Sequence, residues 1–278
     1  MSMALTAPLL SRRPDDPLAF IGKPLNTLAG FSGLITSQTF LSHVAQVATL
    51  MPNHKYAFNL CDNRYLFMVA FCAAIVRDQV NLLPPNKKSL TLQSLAKSYQ
   101  DCYFVFDGLT AVHDGLRAGR VTELNLAEVS LTERRGQQPS TFDVPLDRLA
   151  AISFTSGSTG NSEPNLKNWR VITESSKKNA EYMLGDYRGQ LLFQLATVPP
   201  QHMWGLETSV CLPLFESVCV ADTKPLFPLD IAEGLRDLPA PGVLVSTPVH
   251  LRALCSSQLA FPELDLILCA TSPLDHKL

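Results

Sequence analysis

One segment of the chain combines glycines, hydroxyl side chains and a nearby lysine, a set that suits the binding of a polyphosphate. It follows the apolar run 149–152, reads Thr-Ser-Gly-Ser-Thr-Gly, and is followed by Lys167. Glycines adopt backbone angles that other residues avoid, so main-chain N–H groups can curl round an anion. Hydroxyl groups add donors, and a lysine supplies the countercharge. The sequence therefore predicts a phosphate-binding loop made of Thr155, Ser156, Gly157, Ser158, Thr159 and Gly160.

The same residue types also occur in other kinds of loop. Clusters of serine and glycine are also typical of ordinary surface turns. The loop is not a Walker A motif, because no Gly-Lys-Ser/Thr follows at the required spacing. It is not the Gly-x-Ser-x-Gly nucleophile elbow of serine hydrolases either. A nucleotide loop is favoured, with a plain turn or an unrelated phosphate-loop hydrolase as alternatives.

A histidine follows the predicted strand 191–198, in the segment Pro-Pro-Gln-His-Met-Trp-Gly that contains His202. Imidazole titrates near neutral pH and serves both as a hydrogen-bonding group and as an acid or base in many sites. At the beginning of a helix it can line a pocket or bond only to the backbone. From the residues alone both interpretations stay open.

Composition and charge narrow the class of protein. The chain has 278 residues, of which 46% are hydrophobic and 17% charged, with a net charge of −2. These values are typical of a globular protein and give no reason to expect nucleic acid as a partner. The longest apolar run, 65–76, is too short to span a bilayer, and no signal peptide is recognisable. We expect a cytoplasmic protein without a membrane span.

The cysteines and histidines show no pattern that would hold a metal ion. The seven cysteines are odd in number, include no Cys-x-x-Cys, and mostly lie inside apolar runs. Such cysteines are typical of buried, reduced thiols. The other histidines have no ligand spacing, so no resident metal site is expected.

Strands alternate with helices along most of the chain, which indicates an α/β fold with a mostly parallel sheet. The region before residue 33 is proline-rich and shows no periodicity, and Asp62 is a candidate N-cap of the helix that ends at Val76. We expect two subdomains, residues 1–145 and 146–278, with the phosphate loop in the second. The predicted strands are 56–61, 79–83, 102–106, 149–154, 191–198, 217–221, 243–246 and 264–269; the predicted helices are 38–51, 63–76, 89–99, 172–184, 204–214 and 250–259.

Several of these segments together resemble the adenylate-forming enzymes, the superfamily of acyl-CoA synthetases and other AMP-dependent ligases. The family usually reads Thr-Ser-Gly-Ser/Thr-Thr-Gly-x-Pro-Lys at its phosphate loop, and here a longer spacer separates Gly160 from Lys167. The segment 199–205 matches the family pattern Pro-x-x-His-x-x-Gly. The segment 270–274 is similar to the end of Ser-Gly-Gly-Ala-Pro-Leu, with Ala270 and Thr271 in place of the two glycines. The run from Pro164 to Trp169 is similar to synthetases of bacterial aryl-polyene pathways.

The resemblance implies a fold, a reaction and roles for residues. It implies two stacked α/β subdomains that bind ATP as its Mg²⁺ complex, join it to an aryl or fatty acid, and pass the acyl group to the thiol of CoA or a carrier protein. The loop from Thr155 to Gly160 would bind the phosphates. Lys167 and His202 would be the catalytic residues, Lys167 on the phosphates and His202 beside the acyl pocket.

The resemblance covers only the amino-terminal portion of the family. The sequence carries no aromatic-Gly-x-Thr-Glu segment, which in the family stacks on adenine and supplies a magnesium-binding glutamate. We therefore expect a truncated ligase that is inactive or weak alone. The alternative is a non-catalytic remnant or interaction module that keeps the fold.

Overall fold

The computed structural model describes residues 5–108, 122–132, 141–155, 163–240 and 242–274. The predicted loop residues Ser156 to Gly160 lie outside these ranges, and Thr155 is described by its backbone only. The strands are β1 Thr6–Pro8, β2 Pro17–Leu25, β3 Phe31–Thr36, β4 Tyr56–Asn59, β5 Val80–Leu83, β6 Cys102–Phe106, β7 Thr122–Asn125, β8 Asp143–Pro145, β9 Leu149–Thr155, β10 Glu163–Asn168, β11 Leu192–Ala196, β12 Val218–Ala221, β13 Gly242–Ser246 and β14 Leu264–Cys269. The α-helices are α1 Ser37–Leu50, α2 Arg64–Val76, α3 Ser89–Ser98, α4 Trp169–Leu184, α5 Met203–Leu206, α6 Leu212–Phe215, α7 Pro228–Arg236 and α8 Pro248–Ser256.

The strands form two large mixed sheets, which confirms the predicted α/β class. The first sheet has the order β10-β9-β5-β4-β6-β7, and only its β9–β10 pair is antiparallel. The second has the order β14-β13-β11-β12-β2-β3, in which only β2 and β3 are antiparallel. Parallel strands need crossover connections, and helices provide these between β4 and β5, between β5 and β6, and along the run from β11 to β14. A separate antiparallel pair joins β1 to β8.

The two sheets do not follow the predicted ranges 1–145 and 146–278 one to one. Strands β9 and β10 belong to the first sheet, whereas β2 and β3 belong to the second. The region before residue 33 shows no periodicity in sequence, yet it contains β1, β2 and the first two residues of β3. Strand β2 pairs with β12, about two hundred residues later, and a pairing partner so distant leaves no local periodic signal.

Helix α2 lies at the centre of the molecule and explains why its sequence is apolar on every side. All residues from Arg64 to Ile75 are buried, as expected for a helix enclosed by other elements. One continuous apolar core contains α2 together with Ala57 and Ala151 of the first sheet and Ile21 and Val220 of the second. The two sheets therefore share a core.

The cap of α2 differs from the prediction by one residue. Asn63, and not Asp62, is the N-cap: its Oδ1 accepts the N–H of Leu66 at 3.1 Å. The Asp62 carboxylate is instead held by two lysines, with Lys87 Nζ at 2.8 Å and Lys224 Nζ at 3.2 Å. Because those cations come from distant loops, the local sequence could not show that they compete for Asp62.

Two expectations about the whole chain can be compared with the structure. All seven cysteines are free thiols, and five of them are buried, but Cys255 is exposed. Among the described helices, none has the length and apolar character needed to cross a membrane.

Candidate functional site

A cavity of about 640 Å³ opens where the strands of both sheets end. Its walls come from the carboxyl-terminal part of β9 and from the segments that follow β5, β11, β13 and β14. In parallel α/β sheets, ligands bind at these carboxyl ends. The lining residues are Pro85, Asn86, Ser153, Phe154, Val198, Pro199, Gln201, His202, Met203, Trp204, Thr247 and Thr271.

The predicted phosphate loop is anchored at this cavity. Thr155 and Glu163 are paired across the antiparallel β9–β10 hairpin, so they are the two attachment points of residues 156–162. The two residues before Thr155, Phe154 and Ser153, line the cavity. Thr155 therefore directly follows a residue of the cavity wall, and the loop itself is outside the described residues.

Ser153 contributes a hydroxyl that the sequence analysis missed. Its side chain is only 3% exposed, and its Oγ has no hydrogen-bond partner within the described part of the chain. A buried polar group without a partner is costly unless a ligand or water satisfies it. The Ser153 hydroxyl is thus a group in this cavity that can still bond a ligand.

His202 lies at the cavity, directly before the first residue of α5. Its backbone N–H donates to the Pro199 carbonyl at 3.2 Å, and its side chain makes no capping hydrogen bond to the helix. Surrounding protein lowers the pKa of the imidazole, and the positive charge of Lys224 lowers it further. The ring is exposed and is available at the cavity wall. Whether it acts on a substrate stays a prediction.

Met203 and Trp204 form the apolar part of the same wall. The Trp204 indole N–H donates to the Ser246 carbonyl at 3.1 Å, which fixes the ring against the end of β13. The neighbouring Gly205 is required by close packing: a Cβ there would lie 2.0 Å from the Pro199 carbonyl oxygen. Segment 199–205 is therefore held as one compact turn.

The helix predicted over 204–214 is present but is not one regular α-helix. It consists of α5, a π-helical turn Glu207–Cys211, and α6. Thr208 and Ser209 each donate a side-chain hydroxyl to a carbonyl four residues earlier, on Trp204 and Gly205. Such back-bonding hydroxyls locally perturb helices, and π-helical turns occur often at functional sites.

Lys167 lies on β10 and is half-buried. Asn165, two residues earlier, pairs with Ser153, so Lys167 faces the same side of the hairpin as that serine. From Glu163, where β10 begins, to Lys167 the strand runs about 13 Å. Burial raises the pKa of the Cys211 thiol, the charge of Glu207 raises it further, and the charge of Lys167 opposes both. The structure thus sets Lys167 along the hairpin rather than at its loop end, and its role on phosphates stays a prediction.

Arg64 connects α2 to the strand that leads into the cavity wall. It is fully buried, and its Nη2 donates to the carbonyls of Ala196 and Val198 at 2.8 and 2.9 Å. Its Nη1 donates to the Ser209 hydroxyl. Burial lowers the pKa of Arg64 to about 9, against the opposing charge of Asp222, so it remains charged at neutral pH. No spacing in the sequence pointed to this residue.

A small hydrogen-bonded network lies close in the chain to the lining residues Val198 and Thr247. The Thr197 hydroxyl lies 3.0 Å from the Ser246 hydroxyl and 2.8 Å from His250 Nδ1. Burial lowers the pKa of His250, which favours the neutral ring. The sequence analysis assigned nothing to His250, because a lone histidine within an amphipathic helix gives no functional signal.

Thr271 stands at the position where the resembled family has glycine, and its backbone retains a glycine-like conformation. Its φ is +89°, a region that β-branched residues rarely occupy. The side chain is exposed at the cavity rim. The Thr271 side chain therefore occupies space at the rim of the cavity.

No protein-family model and no curated protein sequence matches the chain. Solved structures do match it by fold. The o-succinylbenzoate CoA synthetase MenE of Bacillus subtilis, solved with its acyl-adenylate intermediate, is 16% identical with a TM-score of 0.69, covering 89% of this chain and 65% of that one. ATP-bound MatB of Rhodopseudomonas palustris is 20% identical with a TM-score of 0.66, covering 88% and 50%.

A third match is the inhibitor-bound N-terminal domain of FACL13 from Mycobacterium tuberculosis, at 15% identity and a TM-score of 0.69, covering 88% of this chain and 65% of that one. Across these three structures the chain spans 50% to 65% of the other protein's length. The chain therefore has the fold of the N-terminal domain of adenylate-forming enzymes.

Proposed function

We propose that this chain is the N-terminal portion of an ATP-dependent carboxylate–AMP ligase of the acyl-CoA synthetase type. The observation that carries the proposal is the position of strand β9, whose residues Ser153 and Phe154 line a cavity at the carboxyl ends of the strands and lead directly into the glycine-rich segment. Three matched structures contain an acyl-adenylate, ATP or an inhibitor, according to their descriptions. Fold and site together support nucleotide binding here.

The proposed reaction joins a carboxylic acid to AMP. A carboxylate oxygen attacks the α-phosphorus of ATP, the bond to the bridging oxygen breaks, and pyrophosphate leaves with the electron pair. A thiol of CoA or of a carrier protein then attacks the acyl carbon and releases AMP. Catalysis of the first step consists mainly of positioning and of charge stabilisation, with Mg²⁺ entering as part of the ATP complex.

The residues of this chain would divide that work. Backbone N–H groups and hydroxyls from Thr155 to Gly160 would bind the β- and γ-phosphates as they leave, which stabilises the developing charge. Lys167 would add a cation, and the free hydroxyl of Ser153 would bond a polar atom of the adenylate. His202 would border the acyl group.

The acyl group would be aryl or fatty. Four apolar side chains, Phe154, Val198, Met203 and Trp204, line the cavity, and burial of an apolar acyl chain against them is favourable. The similarity of Pro164, Lys167 and Trp169 to aryl-polyene synthetases supports an aryl acid. We further propose that the protein acts in the cytoplasm.

Calorimetric titration with Mg-ATP tests the nucleotide site. We expect saturable binding to the 278-residue chain. Gly157→Val should lose at least about ten-fold in affinity, or about 1.4 kcal/mol, because valine lacks the backbone freedom by which glycine lets N–H groups surround a phosphate. Lys167→Ala should weaken binding similarly if its ammonium contacts a phosphate. Unchanged binding in Lys167→Ala would remove that lysine from the site and leave the loop in it.

Activity is tested separately by carboxylate-dependent exchange of ATP with pyrophosphate. The motifs that the family uses for adenosine are not in this sequence, so we expect little or no exchange by the chain alone. Robust exchange would contradict this part of the proposal. It would leave the nucleotide site itself supported.

A second candidate function is a non-catalytic module that keeps the fold and binds a partner. Thr271 favours it, because its side chain occupies space at the cavity rim where the family pattern has glycine. This candidate predicts no saturable Mg-ATP binding by either the wild type or a Thr271→Gly variant.

A further inference from the structure

A second cavity, of about 340 Å³, lies beside α1 and the edge strand β3. It shares no lining residue with the cavity at the strand ends. Most of its wall is apolar, and two side chains at it, Phe31 and Leu34, are 42% and 43% exposed. The lining residues are Leu28, Ala29, Phe31, Leu34, Ile35, Thr36, Thr39, His43, Leu131 and Thr132.

His43 is the buried polar residue of this cavity. It is only 2% exposed, and its Nδ1 lies 2.7 Å from the hydroxyl of the fully buried Tyr65. Its Nε2 has no hydrogen-bond partner within the described part of the chain. An unpaired buried nitrogen costs stability unless a ligand or water satisfies it.

The contact with Tyr65 decides which nitrogen of His43 carries the proton. If Nδ1 donated to the tyrosine oxygen, both the Tyr65 O–H and the Nε2 lone pair would lack a partner. If the Tyr65 O–H donates to Nδ1, the proton sits on Nε2 and only that one group is unsatisfied. The second arrangement leaves fewer buried polar groups unpaired. Burial also lowers the pKa of His43 to about 4, so the ring is neutral and offers one N–H at this cavity.

The chemistry of the wall selects what this N–H can bond. An anion would be poorly solvated in an apolar cavity, and a neutral imidazole gives it no countercharge. The Thr36 and Thr39 hydroxyls bond to each other at 3.1 Å. A neutral molecule that accepts a hydrogen bond without donating one matches a single N–H donor in apolar surroundings.

We propose that this cavity binds a small apolar carbonyl compound, a ketone or ester, whose oxygen accepts a hydrogen bond from Nε2–H of His43. Apolar cavities that carry a few placed polar groups are the usual form of small-molecule sites. The exposed Phe31 and Leu34 form the apolar rim through which such a molecule would enter. The site is independent of the proposed nucleotide site.

Titration with acetophenone and with ethylbenzene, which differ by the carbonyl oxygen, tests this site. We expect acetophenone to bind the wild type about five-fold more tightly, the effect of a typical net hydrogen bond. In nitrogen NMR of the imidazoles, acetophenone should shift the Nε2 resonance of His43, and ethylbenzene should not.

His43→Phe supplies the matched variant, because it keeps a ring and removes the donor. In this variant we expect the ratio of the affinities for acetophenone and ethylbenzene to be close to one. Failure of both compounds to saturate, equal affinity for the two in the wild type, or an unchanged preference in His43→Phe would each overturn the proposal. If His43→Phe does not fold, the wild-type resonance shift alone decides, and an unmoved Nε2 signal overturns it.

Discussion

At the residue scale, Thr271 combines a β-branched side chain with a left-handed backbone at φ +89°. That conformation costs an L-residue about 1–2 kcal/mol, and glycine avoids the cost. Glycine in turn lowers the free energy of unfolding by about 0.5–1 kcal/mol, because it has greater freedom in the unfolded chain. The net effect of Thr271→Gly is therefore a stabilisation of about 0–1.5 kcal/mol, together with a wider cavity.

Thermal unfolding of Thr271→Gly beside Thr247→Gly measures this effect. Thr247 also lines the cavity, but its φ is −124°, so glycine relieves no strain there, adds entropy to the unfolded state and removes the hydroxyl that lies 3.4 Å from His250 Nδ1. We expect the midpoint to rise or stay level for Thr271→Gly and to fall for Thr247→Gly. Equal losses in the two variants would contradict a strained Thr271.

His202 could be proposed from the sequence because a short motif surrounds it, and the structure places it at the cavity wall. Ser153 could not, because a serine inside an apolar strand pattern gives no signal until its face of the sheet is known. Arg64 could not be proposed from the sequence for a different reason. Its carbonyl partners, Ala196 and Val198, are more than a hundred residues away in the chain.

At the scale of elements, the turn 199–205 depends on the absence of a side chain at Gly205. A Cβ there would meet the Pro199 carbonyl oxygen at 2.0 Å, and backbone atoms cannot move aside cheaply. Gly205→Ala should therefore destabilise the fold by about 3 kcal/mol or more, the upper range for overpacking. Gly234→Ala is the control, because its added Cβ meets only the flexible Leu195 side chain, at 3.1 Å.

Chemical denaturation of both variants gives the comparison. We expect a clearly lower midpoint for Gly205→Ala than for Gly234→Ala. Similar midpoints would mean that the backbone of segment 199–205 moves to accommodate the added Cβ, and that close packing does not hold this turn in place.

Most helices and inner strands could be predicted from local periodicity, as the agreement over Cys102–Phe106 and Val218–Ala221 illustrates. Such strands are short apolar runs bounded by turn residues, and that signal is local. The π-helical turn Glu207–Cys211 could not be predicted. It depends on hydroxyl-to-carbonyl bonds within the helix, and the same residues also fit a regular helix.

At the scale of the whole molecule, Arg64 joins the first half of the chain to the strand β11 of the second sheet. Its guanidinium donates hydrogen bonds to the carbonyls of Ala196 and Val198 in the buried core. Removing the donor leaves these acceptors unpaired, at about 1–3 kcal/mol each. We predict that Arg64→Met lowers the free energy of unfolding by about 3 kcal/mol.

Arg188→Met is the matched control, because within the described part of the chain the Arg188 side chain lies at the surface and forms ion pairs to Glu181 and Glu216. Exposed pairs of that kind contribute about 0–1 kcal/mol. Urea titration of the two variants should separate them by about 2 kcal/mol. A loss in Arg64→Met no larger than in Arg188→Met would show that the two sheets are held together without this residue.

Which strands share a sheet could not be read from the sequence, although the α/β class could. Alternation of strands and helices defines the class locally, but β2 pairs with β12 and β5 pairs with β9 across long stretches of chain. Those pairings bring the glycine-rich hairpin to the same cavity as His202. The site therefore depends on topology that no short motif contains.

The central claim is that the β9–β10 hairpin loop and the wall around His202 form one nucleotide-binding site. Hydrogen–deuterium exchange with and without Mg-ATP tests it most directly, because the method locates protection along the chain. We predict that Mg-ATP slows exchange in residues 153–167 and 199–206 of the wild type and in neither segment of Gly157→Val. Protection confined to other segments, or the same protection in Gly157→Val, would contradict the claim.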